Sequence, residues 1–111
     1  MRKFHLKRGP RKLFIQKLAS NLIVNERIMT TQARAKELRP IVERFVTIAK
    51  KQSLAGHRKL LSSLPEQSAH KLFYDIALRY KTRAGGYLRI TKQAAFRKRD
   101  GAMKAVIEFV K

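Results

Sequence analysis

Apolar residues recur at helical spacing as far as Ala77 and then switch to alternation, and this change of period limits the folds open to the chain. Phe14, Ile15, Leu18, Leu22 and Ile23 mark an amphipathic helix from Leu13 to about Asn25. The next residues, "ERIMTT", carry β-branched Ile28, Thr30 and Thr31 and fit a short strand. Thr31 then suits an N-cap, because its hydroxyl can accept from an orphan backbone N–H. Leu38, Ile41, Val42, Phe45, Ile48 and Ala49 trace a second helix; Pro40 costs it one backbone bond, and Lys50 and Lys51 close it against the dipole. Leu54, Leu60, Leu61 and Leu64 predict a third, shorter helix. Pro65 opens a fourth with Ala69, Leu72, Phe73 and Ile76 as its buried stripe. "YLRIT" and "AMKAVIEFV" then alternate, the latter placing Met103, Ala105, Ile107 and Phe109 on one face, with Asp100-Gly101 as a turn signal between them. The pattern predicts a single α+β domain over 13–111, with helices covering one face of a small sheet.

Charge narrows the function. The 111 residues hold 27 Lys and Arg against 7 Asp and Glu, a formal net charge of +20. A compact body with that excess repels itself, so a polyanion is the expected partner: nucleic acid first, an anionic membrane surface second. No apolar run approaches the roughly 20 residues of a membrane span. With no cysteine there are neither disulfides nor thiolate metal sites.

The cations concentrate at the two ends of the chain. Residues 1–12 carry Arg2, Lys3, Lys7, Arg8, Arg11 and Lys12 and no acid, and Gly9-Pro10 interrupts them. This segment reads as an extended basic arm, without the apolar face needed to order itself. It shares the acid-free look of a mitochondrial transit peptide, but it runs into an apolar helix with no spacer. The second cluster holds Arg79, Lys81, Arg83, Arg89 and Lys92, then Arg97, Lys98 and Arg99 in the connection between the last two strands. Arginine's planar fork suits phosphate, and interleaved Tyr80, Tyr87 and Phe96 are candidates for stacking on bases or ribose as well as for core positions.

Catalytic and cofactor chemistry is absent from the pattern. His5, His57 and His70 belong to no metal motif, the acids are isolated, and the serines lack a nucleophile context. "RAGGYLR" leads into a strand, whereas a P-loop needs a following helix and its Gly-Lys-Ser/Thr ending. Gly85-Gly86 is expected to turn the chain into that strand and to let a phosphate backbone approach closely. No catalytic residue, metal, cofactor or small-molecule substrate is expected. Recognition-helix, zinc-finger and RRM signatures are missing, which favours shape-based contact with folded RNA over sequence reading of DNA. An independent nucleoid or DNA-coating protein is the rival that composition alone does not separate.

The blocks "ERIMTTQARAKELRPIVERFVTIAK", "RYKTRAGGYLRITK" and "RDGAMKAVIEFV" closely resemble, in that order, the bacterial-type family of large-subunit ribosomal protein seventeen, over nearly the whole chain from Lys3. The resemblance implies a two-layer fold in the order helix, strand, three helices, two strands. It implies a non-catalytic structural constituent of the large ribosomal subunit, in the cytoplasm unless the ribosome is organellar. The implied partners are large-subunit ribosomal RNA and neighbouring ribosomal proteins near the peptide exit tunnel. Carried onto this chain, the RNA-facing residues are the arm cations, Arg34 and Lys36 at the start of the second helix, and the Arg79–Lys92 block with Gly85 and Gly86.

Overall fold

The computed structural model describes residues 7–96, 98 and 101–110. In chain order the elements are α1 (Arg8–Asn25), β1 (Arg27–Thr31), α2 (Gln32–Lys50), α3 (Leu54–Ser63) and α4 (Glu66–Lys71). A π-helical turn (Leu72–Ile76) carries α4 into a closing turn, α5 (Ala77–Arg79), and the strands β2 (Leu88–Phe96) and β3 (Met103–Phe109) follow. The three strands form one antiparallel sheet in the order β1-β3-β2. The fold is α+β, as the change of period predicts.

One boundary differs from the sequence reading. Helix α1 begins at Arg8, so Arg8 to Lys12, expected in the extended arm, are helical; Arg2 and Lys3 lie outside the described residues. The first helical hydrogen bond runs from the Arg11 amide to the Lys7 carbonyl at 2.9 Å. Pro10 therefore occupies the last position of the first turn, where its missing N–H would have had no intrahelical partner. Gly9-Pro10 starts this helix instead of interrupting the chain.

Local signals are otherwise honoured. The Thr31 hydroxyl accepts from the Arg34 amide at 3.3 Å and caps α2; Ser53 caps α3 in the same way through the Gly56 amide at 3.0 Å. Helix α2 buries Ala35, Leu38, Val42, Val46 and Ala49 completely, with Ile41, Phe45 and Ile48 partly buried beside them. Against this stripe pack Ile15, Ala19, Leu22 and Ile23 of α1, Leu72, Phe73 and Ile76 of the last helical segment, and Ala105, Ile107 and Phe109 of β3. Ser68, the buried polar residue of the described core, meets the Ser20 hydroxyl of α1. Strand β2 continues past the expected "YLRIT" because its pairing with β3 resumes, after a register irregularity, at Phe96↔Met103. Alternation does not mark that extension, since Gln93-Ala94-Ala95 carries no β-forming pattern.

Leu38 is fully buried, whereas Leu13 is 60% exposed. Leu38→Ala should lower stability by about 2–5 kcal/mol, and Leu13→Ala by less than about 0.5 kcal/mol. Urea unfolding checks both, and equal midpoints for the two variants would remove α2 from its place at the centre of the core.

Candidate nucleic-acid interface

The basic loop between α5 and β2 is tied down from beneath. Lys50, at the end of α2, donates to the Tyr87 hydroxyl at 2.8 Å and to the Arg83 carbonyl, with its ammonium 5.0 Å from the Tyr87 ring centre. The Tyr87 hydroxyl in turn donates to the Arg83 carbonyl at 3.2 Å. The Tyr87 amide donates to the Glu43 carboxylate at 2.9 Å, and Arg39 pairs with the same carboxylate at 3.4 Å. Arg83 Nε donates to the Gly85 carbonyl at 3.1 Å, which curls the loop on itself. The backbone is thus held while Lys81 and Arg83 lie on the exposed surface. Of the glycine pair only Gly86 has positive φ, at 65°. Gly85 has open space around the position of a Cβ.

Tyr80 and Tyr87 do not stack on a nucleic acid. Both are buried, with rings 5.2 Å apart, and Tyr80 donates to the Val110 carbonyl. Burial pushes the Tyr80 hydroxyl's pKa up. Each tyrosine supplies a large apolar body to the core while its hydroxyl fastens a loop or the chain end. The side chain of Phe96 lies outside the described residues.

Arg79, expected to face RNA, is engaged by two acids while its side chain stays 41% exposed. Its guanidinium donates to both oxygens of Asp75, at 3.2 and 3.1 Å, and pairs with Glu26, to which Lys71 also pairs at 3.2 Å. Glu26 ends α1 in the left-handed region, at φ 64°, and its amide bonds the Leu22 carbonyl. The Arg79 hydrogen bond is the main cause holding the Glu26 carboxyl below its ordinary range, with Lys71 adding to it and burial opposing. The Arg79 guanidinium is correspondingly pushed up, first by Glu26.

The fold divides the remaining cations. Arg89 projects from β2 and holds Glu108 of β3 through Nε at 3.2 Å and Nη2 at 2.8 Å. Lys92 and Lys98 are exposed farther along, and Arg97 and Arg99 lie outside the described residues. Arg8, Arg11 and Lys12 line a groove between α1 and Ile41 of α2. Arg34 reaches over the Phe14 ring at 4.9 Å, and Lys36 is exposed one position beyond Ala35. Helix α2 therefore separates two cationic regions. One gathers Arg34 and Lys36 at the start of the helix; the other gathers Lys81 and Arg83 at Lys50, roughly 24 Å away along the helix axis. The opening of α1 lies between them beside Ile41. Sequence reasoning read Lys50 as a dipole-closing cation and did not find its anchoring role, which depends on a loop more than thirty residues later in the chain. It also passed over Arg27 and Lys104, although strand alternation places them on the same face as Arg89.

His57 and His70, distant in sequence, stack at 5.5 Å beside Phe73 and Tyr74. Among the described residues no three potential ligands gather to hold a metal ion, and no helix is long and apolar enough to cross a membrane.

The family model described as ribosomal protein L17 matches residues 14–110. The chain is 48% identical over 110 residues to large ribosomal subunit protein bL17 of Agrobacterium fabrum, covering 98% of this chain and 77% of that one. It is 49% identical to its counterpart in Allorhizobium ampelinum with the same coverage. The counterpart in an Exiguobacterium species is 44% identical over 106 residues, with 90% of each chain covered.

Two expected outcomes test the supports. Gly86→Val should cost about 1–3 kcal/mol because a β-branched residue is forced to positive φ, whereas Gly85→Ala should change stability by less than about 0.5 kcal/mol; urea unfolding separates them. Because the Glu26 pKa is depressed in the fold, its contribution is complete above the ordinary value of 4.5 and is lost as pH falls through the lower folded value. Glu26→Gln should therefore lower the melting temperature at neutral pH, with the gap from the parent closing in acid. A gap that persists unchanged at low pH would show that the carboxylate charge is not what holds Arg79.

Proposed function

The chain belongs to the ribosomal protein L17 family, and we propose that this structural protein of the large ribosomal subunit works by fastening ribosomal RNA at the two cationic ends of α2. Its family is one of structural ribosomal proteins, and it is not an enzyme. Its place is in the ribosome, whether that of a bacterial cytoplasm or of an organelle, with large-subunit RNA and neighbouring ribosomal proteins near the peptide exit tunnel as partners.

The observation that carries this reading is the anchored loop. Lys50, Tyr87 and Glu43 hold its backbone, so Lys81 and Arg83 meet a phosphate from a prearranged position and lose less conformational freedom on binding. Arg34 and Lys36 would grip a second segment at the far end of the helix, and the cations opening α1 add positive charge beside its middle. Each phosphate neutralised releases a condensed counterion, and six to ten such contacts lower affinity by roughly three to five decades between 50 and 200 mM salt. Two RNA segments brought to opposite ends of one rigid helix lose part of their mutual repulsion. Arg79 adds positive field to this surface, but Glu26 and Asp75 already hold its donors.

Lys81→Ala with Arg83→Ala should weaken binding to large-subunit RNA by about tenfold or more and reduce the salt slope by one to two, while urea unfolding stays near the parent. Lys51→Ala should do much less. Equal losses from both would reduce the loop to diffuse positive charge. Sedimentation with large subunits through moderate salt and DNase tests the wider reading, and release by DNase would favour a DNA-coating protein instead.

A further inference from the structure

The helices cover one face of the sheet, and the opposite face shows an ordered arrangement of side chains in rows. The first row crosses the strands as Arg27, Glu108 and Arg89. Glu108 holds Arg89 at 2.8 Å and Arg27 at 3.7 Å, and the two arginines remain 62% and 67% exposed. The second row is Met29, Val106 and Thr91, with Met29 63% exposed although it is a large apolar residue. The third row places Thr31 beside Lys104. Arg34 closes this end, lining with Met29, Thr31 and Lys104 an open groove of about 280 Å³.

We propose that this open face of the sheet, centred on Met29, is a docking surface for the minor groove of an A-form RNA helix. The proposal rests on the RNA-binding reading above but, apart from Arg34, concerns a different set of residues. Charge complementarity selects the occupant. Arg27, Arg34, Arg89 and Lys104 outnumber Glu108, whose carboxylate is already held between two of them, so the face presents net positive charge to a polyanion. The cationic rows lie about 13 Å apart along the strands, with an apolar and hydroxyl-bearing row between them. A helical RNA offers the matching pattern: phosphates on both sides of a wide, shallow groove floored by ribose 2′-hydroxyls. Thr31 and Thr91 hydroxyls suit those 2′-OH groups, and the Met29 thioether lies flat against ribose carbons. Single-stranded RNA fits less well, because it is held by aromatic stacking and the described positions on this face carry no aromatic ring. B-form DNA fits poorly too, since its minor groove is narrow and lacks the 2′-OH.

The test uses the full chain and a short blunt RNA duplex, a DNA duplex of the same sequence, and one RNA strand alone, compared by fluorescence anisotropy. Met29→Asp combined with Lys104→Glu should weaken duplex RNA binding by about tenfold or more and lower the salt slope, and the parent should prefer the RNA duplex to both other probes. A folded double variant that binds duplex RNA as the parent does would overturn the proposal, as would equal binding of duplex and single strand. Should the double variant lose its fold, a benzophenone side chain placed at position 29 serves instead. Crosslinking to duplex RNA supports the proposal, and its failure counts against it. If Lys81→Ala with Arg83→Ala weakens binding while the sheet variant does not, the proposed role of the anchored loop stands and this surface falls; if neither weakens it, both proposals fall. A sheet variant that keeps RNA affinity but no longer joins large subunits would give the face to a protein neighbour.

Discussion

Helix α2 presents Ala35, Leu38, Val42, Val46 and Ala49 along one fully buried stripe, and nearly every other part of the protein is positioned by what packs there. Helix α1, the last helical segment and the inner face of β3 all meet it. In a body with a net charge of +20, this apolar contact has to outweigh self-repulsion as well as chain entropy. Its two ends also set the spacing of the cationic regions. Thr31 caps one end beside Arg34, and Lys50 leaves the other to hold the basic loop. The rigidity of a single helix thus becomes the distance between two cationic surfaces.

The few acids determine which cations are held in place. Glu26 and Asp75 enclose Arg79, Glu43 takes Arg39 and the Tyr87 amide, and Glu108 bridges Arg27 and Arg89 across the sheet. These pairs are half-exposed and contribute modestly to stability. Their larger effect is orientation. Arg79 is held by Glu26 at the end of α1 and by Asp75, while Arg89 and Arg27 lie on the open face of the sheet, 62% and 67% exposed. A chain so rich in cations needs only a few acids to separate structural arginines from those presented to a partner.

The tyrosines show the same division between core and surface. Tyr80 and Tyr87 have the composition of a stacking platform, yet both are buried and use their hydroxyls to hold the chain end and the basic loop. The exposed surface is left to cations and hydroxyls, without these two rings as stacking platforms.

Much of this was legible in the residues alone. The helical stripes of α1 and α2, the Thr31 cap, the order of helices and strands along the chain and the basic character of both ends follow from short-range periodicity and composition, because a period of 3.6 or 2 is a local property of the chain. The start of α1 was misread, since Pro10 looks like a break unless its exact place in the first turn is known. Tertiary structure alone decided the fate of individual cations. Arg79 meets Glu26 across 53 residues, and Lys50 meets Arg83 across 33. Arg27, Met29 and Lys104 become one surface only once the β1–β3 register is set. Such contacts depend on which elements pack together in space, and no local pattern in the chain encodes that distance.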